Sequence, residues 1–191
     1  VTPPRPLTYM HDEALGTLGP LLDRIGLRRS LLVGHSDGAS IAAIYAGGIA
    51  DPRVRGLVLM APHFFTEEMG LVGIRQTTQA YATTDLRARL ARHHGANVDG
   101  AFFGWSGAWL DPAFRDWDLL EFLPSIRVPV LAIQGRDDRY GTLAQIDALQ
   151  QHAMCPVETL LLAGCGHAPH HEASEATLLG ITEFITHLWR M

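Results

Sequence analysis

Residues 30–38 read Ser30-Leu31-Leu32-Val33-Gly34-His35-Ser36-Asp37-Gly38, and the architecture can be worked outward from them. Ser30–Gly34 is a short run with no polar alternation, the pattern of a strand buried on both faces. From Asp37 to Ala50 the chain is rich in Ala and Ile and reads as a helix. Between the two lies Gly34-His35-Ser36-Asp37-Gly38, a G-x-S-x-G at a strand-to-helix turn. Such a turn is tight enough that side chains at its two glycines are expected to clash, and Ser36 is expected in a strained backbone conformation. Its hydroxyl then points out at the carboxyl end of the sheet. The amide of Asp37, next in the chain, lies at the positive end of the following helix and is placed to donate to an oxyanion. The plain alternative is an ordinary turn carrying an incidental serine, and the strand–turn–helix context speaks against it.

Three further apolar runs read as buried strands: Arg55–Ala61, Val128–Gln134 and Val157–Leu162. Helical stretches fall between them, which predicts an α/β fold with a mostly parallel sheet flanked by helices. His11–Ile25 precedes the first strand and is expected to kink or split at Gly19-Pro20, because proline lacks an amide donor. Thr142–Ala153 and Glu172–Trp189 follow the third and fourth strands. In the last, Leu178, Ile181, Ile185 and Leu188 recur at 3–4 spacing and predict one buried face. The chain reads as a single domain over 1–191 with an insertion at about 63–124, far longer than a usual crossover. That insertion holds a helix-like Leu86–His94 and aromatics at Phe102, Phe103, Trp105, Trp109, Phe114 and Trp117. It is expected to form a helical cap over one end of the sheet, its aromatics making a small core of its own or lining a substrate pocket.

Composition bounds the function. The 191 residues carry 15 basic and 20 acidic side chains, a formal charge of −5, with 47% hydrophobic and 18% charged residues. That is a chain with a core, and its scattered charges argue against a nucleic-acid partner, which would need a basic patch. No apolar run approaches the ~18 residues of a membrane span, and residues 1–14 lack an apolar signal core, so a cytoplasmic location is expected. Cys155 and Cys165 allow one disulfide but no disulfide framework. The chain begins with Val1, which fits either a GTG start codon or a trimmed chain.

A serine needs a base to take its proton and an acid to orient that base. After the third strand come Gly135-Arg136-Asp137-Asp138, and after the fourth come Gly164-Cys165-Gly166-His167. The needed residue types therefore stand at three strand ends, in the order Ser…Asp…His. His167, His170, His171 and Glu172 invite a metal reading, but their spacing is not H-E-x-x-H and they lie on a turn leading into a helix, so structural or catalytic-loop use is expected and no metal. His63 could reach the pocket or cap the surface. His35 is expected to pack or hydrogen-bond locally, Cys165 to be a small packing residue, and Arg87, Arg89 and Arg92 to form a solvated helix face.

Taken together, GHSDG at 34–38, LVLMAPH at 57–63, VPVLAIQGRDD at 128–138 and GCGHAPHHE at 164–172 resemble the α/β-hydrolase superfamily of serine hydrolases. The resemblance covers nearly the whole chain. It implies Ser36 as nucleophile and His167 as general base and acid. The acid in that family usually stands three residues after the strand-ending glycine, which selects Asp138, leaving Asp137 as a turn residue. It further implies a small ester-like substrate, an acyl-enzyme, and no metal or organic cofactor; lactones, amides and carbon–carbon bonds stay open. The departure lies at the front. Similar proteins usually carry roughly 70–90 further residues ahead of His11–Ile25, holding the first strands and an HG-type loop with the second oxyanion amide. Neither is found here, and Gly47-Gly48 and Gly104–Gly107 are in the wrong places. An incomplete or non-catalytic member is therefore the alternative. Without earlier strands, residues 30–34 would form an apolar edge, a template for pairing with another chain, so association through that edge or an N-terminally cut form is expected.

Overall fold

The computed structural model describes residues 5–190. Four strands, β1 (Ser30–His35), β2 (Val54–Met60), β3 (Val130–Gly135) and β4 (Val157–Leu162), form one parallel sheet in the order β1-β2-β3-β4. Each begins or ends within two residues of the expected run. The inner pair is buried almost throughout, with only Arg55 of β2 exposed and all of β3 inside. The outer pair differs in chemistry. β4 shows Glu158 and Thr159 to solvent, whereas β1, at the opposite edge, shows Val33, 52% exposed. Charge on an edge strand discourages a further strand from pairing; an apolar edge does not.

The first helical run comprises α1 (Tyr9–Asp12), a π-type turn over Glu13–Leu18, and α2 (Gly19–Arg24). At the expected kink or split, Gly19-Pro20, the winding changes from the π-type turn to α-helix, while Leu18 and Gly19 both hold helical dihedrals so that the chain does not leave the helical region. Pro20 stands in the first turn of α2, and the wider π-type turn ahead of it leaves room for its ring against the carbonyl one turn back. α3 (Asp37–Gly48) follows β1 and buries Ala39, Ser40 and the run Ala42–Ala46. Its small side chains let it lie close to the sheet; a Cβ on Gly47 would fall 2.2 Å from the Phe122 carbonyl oxygen.

The chain from Thr66 to Trp117, with residues 5–9, forms one compact unit, and Met10–Phe65 with residues 118–190 forms the other. The first holds α4 (Glu68–Thr83), α5 (Leu86–His94) and α6 (Val98–Trp109). Its aromatics pack on one another: Tyr81 stacks on Phe102 at 3.8 Å, Phe114 on Trp117 at 5.1 Å, and Trp109 Nε1 donates to Tyr9 Oη. Tyr81 Oη also donates to Asp99, which takes Arg87 on both oxygens.

The sheet-bearing unit is completed by α7 (Ala144–His152), α8 (Pro169–Glu172) and α9 (Ser174–Leu188). α9 keeps Ile181, Ile185 and Leu188 of the expected face half-buried, but the face is shifted at Leu178. Thr177 and Phe184 are inside, whereas Leu178 is 66% exposed. Residues 177, 181, 184 and 188 satisfy helical spacing as well as 178, 181, 185 and 188 do. The Thr177 hydroxyl donates to the Pro169 carbonyl, which lets a polar side chain sit inside at little cost. Phe184 joins Val58, Met60, Leu131, Ile133, Leu162 and Cys165 in the core on this face. Burying such a side chain contributes about 1.5–3 kcal/mol. Cys155 and Cys165 are free thiols, so no disulfide joins them. Among the described residues, no helix is long and apolar enough to cross a membrane.

Candidate active site

The site is built where β1, β3 and β4 end. β1 stops at His35, and Ser36 turns the chain at φ 54° and ψ −124° before α3 begins at Asp37. A residue with a side chain seldom adopts a positive φ, and the fold must hold it there. Here the Ser36 amide donates to the Met60 carbonyl, while the amides of Ala39 and Ser40 donate back to the Ser36 carbonyl. The turn closes so tightly that a Cβ on Gly34 would lie 2.3 Å from the Gly38 carbonyl oxygen. The same requirement does not fall on Gly38, whose added Cβ would meet nothing. Only one of the two glycines is thus demanded by clearance, because the strand side of the turn faces the helix and the helix side faces open space. Asp37 opens α3, so its backbone amide stands beside Ser36 at the positive end of the helix.

Asp138 lies in the turn after β3 and is buried. Its Oδ2 accepts from His167 Nδ1 at 2.8 Å and from Gln134 Nε2 at 2.9 Å, and its Oδ1 accepts from the Tyr140 amide at 2.8 Å. Burial pushes this carboxyl upward, but the hydrogen bonds from His167, Tyr140 and Gln134 outweigh it and hold Asp138 below its ordinary value. Asp137, the alternative, has an exposed side chain and donates only its amide, to the Cys165 carbonyl.

His167 sits in the loop after β4, with Nε2 3.0 Å from Ser36 Oγ. An ionised carboxylate can only accept, so Nδ1 carries the proton and Nε2 is left to accept the Ser36 hydroxyl hydrogen. Ser36, His167 and Asp138 thus form one continuous line of hydrogen bonds, the arrangement that can draw a proton from a hydroxyl and hold the resulting imidazolium.

Glu172 accepts the amides of Gly166 and Ala168, on either side of His167, at 2.8 and 2.9 Å. These bonds hold its carboxyl below the usual range. His35 Nε2 donates to the His167 carbonyl at 2.6 Å, and its ring lies 4.7 Å from that of His170. Burial lowers the pKa of His35, so it serves as a neutral donor. His63, which could have been a surface residue, is buried with its ring 5.6 Å from His167. Burial pushes it down to about 3, so it stays uncharged. Cys165 is buried, and burial raises its thiol pKa, as suits a packing residue. Among the described residues no group of three or more His, Cys, Asp or Glu could hold a metal; both Glu172 oxygens face amides instead.

Sequence reasoning missed Gln134 and the reach of His35 to the His167 carbonyl. A signal existed for Gln134, a lone amide side chain in an otherwise apolar strand. Glu172, grouped from the sequence with the histidine loop, serves that loop by accepting the amides on either side of His167.

A model of the alpha/beta hydrolase family matches residues 1–178. No curated protein matches the chain by sequence. Among solved structures, a bacterial membrane phospholipase A superposes with a TM-score of 0.76 at 21% identity, over 95% of this chain and 64% of that one. An esterase from Rhodococcus gives 0.68 at 19% identity, over 97% and 75%. The enol-lactonase from Burkholderia xenovorans gives 0.67 at 20%, over 96% and 75%. The chain therefore spans about two thirds to three quarters of their lengths, and identities this low carry the fold alone.

Proposed function

The chain belongs to the alpha/beta hydrolase family, and from that premise we propose that it is a serine hydrolase cleaving a small carboxylic ester, or a related acyl substrate, through an acyl-enzyme on Ser36. The observation that supports this most is the unbroken path from Ser36 Oγ through His167 to Asp138. In this reading His167 Nε2 takes the Ser36 hydroxyl proton as the oxygen attacks the acyl carbon. The carbonyl π pair moves onto oxygen, and the Asp37 amide donates to that oxyanion. Collapse re-forms the carbonyl and breaks the bond to the alcohol oxygen, which receives the proton from His167. Water then attacks the acyl-enzyme by the same steps in reverse roles, releasing the acid and restoring Ser36. Asp138 keeps the imidazole in the tautomer the first step requires and stabilises its charged form. No metal or organic cofactor enters any step.

The test is mass spectrometry after a fluorophosphonate probe, with hydrolysis of a short-chain p-nitrophenyl ester measured in parallel. A single adduct on Ser36 with turnover, both lost in Ser36→Ala at unchanged folding, is the expected result. A folded protein that takes no adduct and turns over no ester overturns this reading in favour of an incomplete or non-catalytic member of the family.

A further inference from the structure

Gln134 is the second-last residue of β3, and its side chain is fully buried in a strand that is otherwise apolar except for its glycine. Its Nε2 lies 2.9 Å from Asp138 Oδ2 and 3.1 Å from the Gly141 carbonyl oxygen. A carboxylate and a carbonyl can only accept, so the amide must turn its NH2 toward both. That orientation leaves Oε1 buried, and among the described residues no donor reaches it. Native interiors seldom keep an orphaned buried acceptor, because the lost hydration is not recovered. An aliphatic residue of the same size would have avoided it. The group is therefore retained for what its NH2 does, which is to tie the two ends of the turn 138–141 to the strand beneath.

We propose that Gln134 is a positioning residue: it fixes the Asp138 carboxylate so that Oδ2 meets His167 Nδ1. The inference rests on reading Ser36, His167 and Asp138 as the reacting set. Oδ2 has two donors, His167 and Gln134, while Oδ1 is held only by the Tyr140 amide. Without Gln134 the carboxylate keeps its partners but can swing about the Oδ1 contact, and the imidazole swings with it. Gln134 touches neither Ser36 nor a substrate and acts through Asp138.

Two variants of the full chain test this, Gln134→Met and Gln134→Glu. Methionine keeps the volume and gives up both donated bonds. For it, kcat on a p-nitrophenyl ester should fall about tenfold to a hundredfold at nearly unchanged KM, the cost of a misplaced catalytic group. The low-field proton resonance of His167 Nδ1 should shift or broaden. The glutamate variant supplies a sign. Its introduced carboxyl repels Asp138 when ionised and can donate to it when protonated, as the amide did. The ratio of its kcat to that of the wild type should therefore rise as pH is lowered from about 8 to about 6, a window that a carboxyl raised by a like-charged neighbour can reach. A methionine variant with kcat within about twofold of wild type and an unmoved low-field proton overturns the proposal, and so does a ratio that is flat with pH. If the methionine variant fails to fold, the glutamate ratio decides alone. If the wild type itself takes no fluorophosphonate, the hydrolase reading has failed, and the low-field proton still reports whether Gln134 orders Asp138.

Discussion

Ser36 and its two partners are held in place by different means. Ser36 is fixed by backbone: a positive φ, a strand on one side, a helix on the other, and a glycine with no clearance to spare. Asp138 and His167 are fixed by hydrogen bonds that involve side chains: the Gln134 side chain and the Tyr140 amide donate to Asp138, His35 donates to the His167 carbonyl, and Glu172 accepts the amides on either side of His167. A position set by backbone sterics fails all at once, whereas one set by several hydrogen bonds fails by degrees. Mutations can break or sharpen that contrast.

The largest effect should come from Gly34→Ala. Its Cβ meets backbone atoms of Gly38 and Ala39 between 2.3 and 2.6 Å, which no rotamer change can relieve. We expect loss of both fluorophosphonate labelling and several degrees of melting temperature, on the order of 3 kcal/mol or more. A variant that melts like wild type and still labels would break the contrast. Next comes Asp138→Asn, which preserves shape but offers His167 an amide where a carboxylate stood. Ester turnover should fall by about 10⁴, the cost of the wrong imidazole tautomer, while melting changes little. Asp137→Asn, with its exposed side chain, should leave the rate unchanged; if it matched Asp138→Asn, the assignment of the acid would be reversed.

A smaller effect than that of Asp138→Asn belongs to Glu172→Gln, whose single amide oxygen can still take one of the Gly166 and Ala168 amides while its NH2 faces the other. Turnover should drop only a few-fold. The pH dependence is sharper than the rate. The Glu172 carboxyl is held down by those two amides, so its contribution is complete above the ordinary carboxylate range and is lost as pH falls through its lowered folded-state value. Hydrogen exchange at Gly166 and Ala168 should accelerate on such acidification in the wild type, and less so in Glu172→Gln.

The same contrast explains what the sequence could tell. The turn at Ser36 is a local event, written in contiguous residues, so GHSDG announces it and the flanking strand and helix can be bounded to within a residue or two. Even there the reading over-reached at Gly38, where chemistry alone cannot show which side of a turn faces open space. The hydrogen-bonded side is not local. Gln134 becomes meaningful only when the Asp138 carboxylate lies over it, and Glu172 only when its helix returns toward Gly166. Family position separates Asp138 from Asp137; its burial, which supports that choice physically, is a property of packing. In α9 the pattern Leu178, Ile181, Ile185, Leu188 was as regular as the true one. The choice fell to Thr177 and Phe184 through a bond to Pro169 and a place in the core. Pro20 shows the converse, a strong local breaker that marks where a π-type turn gives way to α-helix without the chain leaving helical dihedrals.

The strands of the sheet stand side by side in the order in which a ribosome would make them. Each new strand can add to a neighbour already outside the exit tunnel, so the sheet can be laid down like planks, without waiting for a distant partner. The reacting groups arrive on a different schedule. Ser36 is exported with the first plank, Asp138 after the third, and His167 only after the fourth. On the roles proposed for these groups, a nascent chain that has assembled most of this sheet should be silent toward a serine probe, and reactivity should switch on abruptly once the loop beyond β4 has emerged.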